Sequence, residues 1–158
     1  MQTMHAGENQ VRRNLLRVAA ALSFAVLSAS ASGIDNPDAP DRVAAFESRA
    51  APLELQLAAT DGGSAATRAG KMYADFLDTE LNTAYRTLLM KLRGPARVTL
   101  AQSQQQWLRF RDAEYQFIAQ HWTRERSGSS ASLSVAGYGN AIVKERVLQL
   151  LRYTAEYP

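Results

Sequence analysis

The chain has 158 residues, 18 basic and 15 acidic side chains, a formal net charge of +3 and no cysteine. That composition excludes a disulfide framework, a cysteine-anchored lipoprotein and a zinc site built on thiolates. It contains no run of basic residues and no glycine-rich phosphate loop, so neither a nucleic-acid partner nor a nucleotide cofactor is expected.

Residues 1–31 read as a cleavable signal peptide. Arg12, Arg13 and Arg17 supply a positive start, Leu15 to Leu27 is mostly apolar, and Ala29-Ser30-Ala31 offers small residues for cleavage before Ser32. The apolar stretch is interrupted by Arg17 and falls short of the roughly 20 residues a membrane span requires, so a removed signal is preferred to an anchor. Arg12-Arg13 fits twin-arginine as well as general export. Removal of residues 1–31 leaves 15 basic against 14 acidic side chains. The mature chain is thus nearly neutral, with no expected membrane span and a periplasmic or secreted location.

Residues 32–63 are rich in Ala, Asp, Pro and Gly and read as a loosely ordered arm docked on the domain that follows. Pro37, Pro40 and Pro52 argue against a long helix. Asp41 to Ala50 suits a short helix, and the alternation of Leu53, Leu55 and Leu57 suits a short strand.

From Ser64, an apparent N-cap, to residue 158 the pattern is helical. Leu77, Leu81, Tyr85, Leu88 and Leu92 recur at three- and four-residue steps and define one apolar face. Arg93-Gly94-Pro95 ends this helix, with Gly94 suited to a left-handed conformation and Pro95 to opening the next helix. The second helix runs from about Ala96 to Arg124, and its aromatic stripe of Trp107, Phe110 and Phe117 predicts a central place in the bundle. Ser127 to Asn140, rich in Ser and Gly, predicts a flexible connection without regular structure before Val135. A third helix covers about Gly139 to Tyr153, with Ile142, Val143, Val147, Leu150 and Leu151 available for a core. The fold class is all-α, a small antiparallel three-helix bundle with an N-terminal arm.

One stretch carries a recognisable motif. Leu100, Gln104, Trp107, Leu108, Phe110, Arg111 and Asp112 match the pattern Leu-x-x-x-Gln-x-x-Trp-Leu-x-Phe-Arg-Asp-x-x-Cys, with Tyr115 in place of the cysteine. This resembles the signature helix of the LprI-type lysozyme-inhibitor family. Asp78, Leu81, Asn82 and Tyr85, then Gly128-Ser129, and finally Arg146 with Leu150 match further elements of that family in the same order. The resemblance covers about residues 70 to 154. It implies a disulfide in family members between positions resembling Tyr115 and Tyr138, which would close a loop worth about 3 kcal/mol in the chain-entropy picture. With both cysteines replaced, the two rings are expected to touch across the helices and offset part of that loss.

Asn82, Gln104, Arg111, Asp112 and Arg146 are polar groups set among large apolar ones, and are expected to form a buried hydrogen-bonded network with Arg111 paired to Asp78, Asp112 or Glu114. Trp107 and Phe110 are expected in the core. Catalysis has little support: His121 is the only histidine after the signal, too few for a metal cluster, the serines lack a nucleophile elbow, and Asp75 with Asp78 reads as an ordinary surface pair. No catalytic, cofactor-binding or metal-ligating residue is assigned. The candidate partner-binding loop is Ser127, Gly128, Ser129, Ser130 and Ser132, small enough to enter a concave partner site, with Arg124, Glu125 and Arg126 as a polar rim.

The resemblance implies a noncatalytic protein that binds a lysozyme and occludes its glycan cleft. Two other functions fit the same residues: a structural or stress module of the cell envelope, and an immunity-type protein against another wall-degrading enzyme.

Overall fold

The computed structural model describes residues 40–157; the signal peptide expected over residues 1–31 lies outside them. Asp41 caps the first helix by accepting a hydrogen bond from the Ala44 N–H at 2.8 Å. Helix α1 then runs Arg42–Ala58, passing through Pro52. The expected short helix and strand are therefore one continuous helix over Arg42–Ala58; residues 32–39 of the expected arm lie outside the described residues. Val43, Phe46, Ala50, Leu53 and Leu57 follow a three–four spacing and turn to the core, with Phe46 wholly buried. Leu55, the member that made the stretch look like a strand, is 70% exposed.

Helix α2 covers Gly63–Lys91. Gly62 takes the N-cap position without a side-chain hydrogen bond, so Ser64 does not cap it. Gly62 and Gly63 both have positive φ, at 97° and 64°, which turns the chain back on itself after α1. The α2 core face is Ala66, Ala69, Gly70, Tyr73, Leu77, Leu81, Ala84 and Leu88. Its last carbonyls are met by the Arg93 guanidinium, which donates to Met90 O at 2.6 Å and Leu92 O at 3.0 Å. Gly94 has φ 55° and Pro95 sits in the first turn of helix α3, Gly94–His121, as the sequence predicts.

After α3 the chain makes one helical turn, Arg124–Ser127, and one 3-10 turn, Gly128–Ser130, before helix α4, Ala131–Ala155. The flexible connection expected from Ser127 to Asn140 is thus mostly helix. Its serines and glycines hide an apolar face that already begins at Ala131.

Short connections make the long helices antiparallel to their chain neighbours. Leu57 lies near Gly70, and Arg49 of α1 forms a bidentate pair with Glu80 of α2 at 2.9 and 2.7 Å. Consequently α2 and α4 share one direction, and they form the most extensive packing in the molecule. Val143, Val147, Leu150 and Leu151 of α4 meet the α2 leucines, and α1 covers the seam between them. Helix α3 is not central. It buries Leu100, Gln104 and Ile118, packs Trp107 at the edge of the core, and leaves most of its remaining surface outward.

Among the described residues the architecture is all-α, with the three expected helices of the bundle joined by a fourth long one, α1, where a short helix was expected. Among the described residues no helix is long and apolar enough to cross a membrane.

Candidate functional site

The motif residues divide into three places. The first is the contact of α3 with α4. Arg146, on the buried face of α4 and only 6% exposed, donates from Nε to Gln104 Oε1 at 3.1 Å, from Nη1 to Gln149 Oε1 at 2.6 Å and from Nη2 to Ser103 Oγ at 3.3 Å. Its guanidinium also lies 5.7 Å from the Trp107 ring centre. Burial pulls the Arg146 pKa below the ordinary arginine value.

Arg111 stands on the other flank. It approaches the rings of Trp107 and Tyr115 at 5.7 and 5.6 Å and pairs with Asp112 at 2.7 Å. The expected five-residue buried network is therefore split. Gln104 and Arg146 form a buried node, Arg111 and Asp112 form a separate pair nearer the surface, and Asn82 is exposed and donates to the Asp78 carbonyl of its own helix at 2.8 Å. Asp78 is likewise exposed, whereas Leu81 is buried in the core and Tyr85 packs at its edge. Spacing along a helix places polar residues on a face but does not say whether an opposing helix covers it.

The second place is the tyrosine pair. Tyr115 lies against Gly139, where an added Cβ would come within 3.2 Å of its Cε1 atom. Tyr138 turns away and stacks on Trp122 with ring centres 5.4 Å apart and planes 18° apart. The two rings thus do not make the contact expected of them; each anchors the α3–α4 seam separately. Burial raises the Tyr115 phenol pKa, with Asp78 and Asp112 adding to the effect against Arg111. Trp122 also meets His121 edge-on at 5.1 Å, and His121 lies 5.6 Å from Phe117. A row of aromatic rings therefore leads from α3 to the turn at its end.

The third place is that turn. Arg124, Glu125, Arg126, Gly128, Ser129 and Ser130 are exposed, and Ser127 is half-buried. Gly128 has φ 59°, a conformation a side chain would disfavour. Ser130 donates to the Ser127 carbonyl at 2.8 Å, which holds the turn in shape. Ser132 falls within α4. Neither Arg124 nor Arg126 is in an ion pair among the described residues. The Glu125 carboxyl is held below its usual range by backbone and Thr123 hydrogen bonds at the start of the turn.

Two features escaped the sequence reading. Phe110, expected in the core, is 52% exposed and lines an open groove of about 540 Å³ between α3 and α4, with Trp107, Ile142 and Arg146. Ser103 and Gln149 complete the Arg146 contacts. Gln149, three residues after Arg146, was detectable as a helical neighbour; Ser103 carried no signal. Among the described residues no group of three or more His, Asp or Glu is placed to hold a metal.

A protein-family model described as "Lysozyme inhibitor LprI" matches residues 58–150, which span α2, α3 and most of α4. No curated protein and no solved structure matches the chain.

Proposed function

This chain belongs to the LprI lysozyme-inhibitor family, and from that premise we propose that it is a noncatalytic binding protein, periplasmic or secreted, that inhibits a lysozyme by occluding its glycan cleft. The family match across α2 to α4 is the observation that carries this reading.

The turn after α3 is the surface best suited to the task. It is exposed, held by its own hydrogen bond, and carries two arginines without carboxylate partners among the described residues. Glycoside hydrolases place a pair of carboxylates beside the scissile bond. A preformed cationic turn loses little conformational freedom on entering such a cleft, and its charge complements the carboxylates. Arg124 and Arg126 supply the charge, and Gly128 with Ser129 supplies a tip without bulk. The near-neutral mature chain implies that attraction to the enzyme is local, confined to this turn, and not a long-range field.

The test is lysozyme activity on cell-wall substrate during titration with the purified protein, using a heat-unfolded sample as control. Saturable inhibition near one-to-one is expected. Arg124→Glu with Arg126→Glu should weaken it at least tenfold while leaving the helical circular dichroism unchanged. Absence of inhibition at large excess across several lysozyme types would discard the reading. Inhibition of a wall amidase alone would instead assign an immunity-type role.

A further inference from the structure

Arg146 is a buried cation without a buried anion. The carboxylates engaged in ion pairs among the described residues are Glu80, Asp75, Asp112 and Glu54, and none of them pairs with Arg146. All three of its hydrogen-bond partners, Gln104, Gln149 and Ser103, are neutral. A guanidinium carries five N–H donors, so two remain after these three bonds. Withdrawing a charge from water without a counter-charge is costly, and an anion reaching Arg146 from the groove would offset that cost.

The surroundings identify the kind of ligand. Arg146 is not sealed in the core but contributes to the wall of the groove between α3 and α4. Trp107, Phe110 and Ile142 give that groove apolar surfaces. The other charged groups on it are Glu145 and Arg152, both exposed and of opposite sign. Arg111, on the far flank of Trp107, is already matched by Asp112 at 2.7 Å. The unbalanced charge facing the groove is therefore that of Arg146.

We propose that this groove binds an organic carboxylate bearing an apolar, ring-sized group. The carboxylate accepts from the two uncommitted N–H groups of Arg146, a charge-assisted contact, while the apolar group lies against Trp107, Phe110 and Ile142. The same chemistry is offered by a free aromatic acid and by an acidic side chain beside an apolar one in a peptide. The site is separate from the turn at Arg124–Ser130 and does not depend on lysozyme binding.

Isothermal titration calorimetry of the full chain tests this with three probes: 3-phenylpropionate, 3-phenylpropionamide, and an end-blocked peptide with one internal glutamate next to phenylalanine. The expected result is one-to-one binding of a carboxylate probe, with the amide at least tenfold weaker. Tighter binding of the free acid or of the peptide identifies the source. Gln104→Glu keeps the side-chain size and gives Arg146 an internal counter-charge, so it should reduce carboxylate affinity at least tenfold. Phe110→Ala, at a position 52% exposed on the wall of the groove, should weaken the acid and the amide alike. Equal binding of acid and amide, no saturable binding of any probe, or undiminished acid binding by Phe110→Ala would each overturn the proposal.

Discussion

Gln104 is 8% exposed and supplies the one oxygen that meets Arg146 Nε from across the α3–α4 seam. Gln104→Leu would preserve much of the packing volume while leaving that charged donor without a partner. The expected cost is about 1–3 kcal/mol, read as a lower urea midpoint at unchanged m-value. Ser103→Ala, which removes the longest of the three contacts at 3.3 Å, should cost about 0.5 kcal/mol or less. The motif made Gln104 and Arg146 visible as separate polar residues on apolar faces. That they meet was not legible, because their 42-residue separation lies beyond any helical period. The same gap explains the tyrosines. Tyr115 and Tyr138 were paired by analogy with a disulfide, but α4 presents Gly139 to Tyr115, one residue away from the expected position.

At the level of elements, α2 and the α2–α3 turn were the most legible parts. A sustained three–four spacing and a Gly-Pro punctuation have few alternative readings. Helix α1 was misread because Pro52 counts locally as a break, whereas the burial of Phe46, Ala50, Leu53 and Leu57 on one face outweighs the single hydrogen bond that proline removes. Phe46→Ala should therefore destabilise the whole domain by about 3–5 kcal/mol, which chemical denaturation would measure; a change below about 1 kcal/mol would mean that α1 is only loosely attached. Helix α3 was misplaced for the opposite reason. Its aromatic stripe reads as core, yet Phe110 and Phe117 are 52% and 61% exposed, and its buried face runs through the polar Gln104. A wide apolar stripe marks a helix that has partners; it does not separate partners in the fold from partners in solution.

For the molecule as a whole, Glu54 is the point where three helices are tied together. It accepts hydrogen bonds from Tyr73 of α2 and from Lys144 of α4, the latter at 2.7 Å. Those contacts, Lys144 foremost, hold its carboxyl below the usual glutamate value of 4.5, and the partner phenol of Tyr73 is pushed above its ordinary value by burial and by Glu54. A depressed folded-state pKa means the unfolded chain binds the proton more readily. The tie is therefore fully present above the unfolded-state value and is lost as pH falls from there through the lower folded-state value. Thermal unfolding followed from pH 7 to pH 3 should show a drop in Tm over the acidic part of that range that is smaller in Glu54→Gln. Equal acid sensitivity in the two proteins would remove Glu54 from the account.

The central position of α4 also fixes when the core can close. The helix that fills the space between α1, α2 and α3 is the last of the four to be synthesised, so the α2 leucine face stays without its main partner until Ala131–Ala155 has emerged. During elongation the chain is a set of amphipathic helices that lack their main packing partner. It remains in that state for the time needed to make α4, and is then open to a holdase.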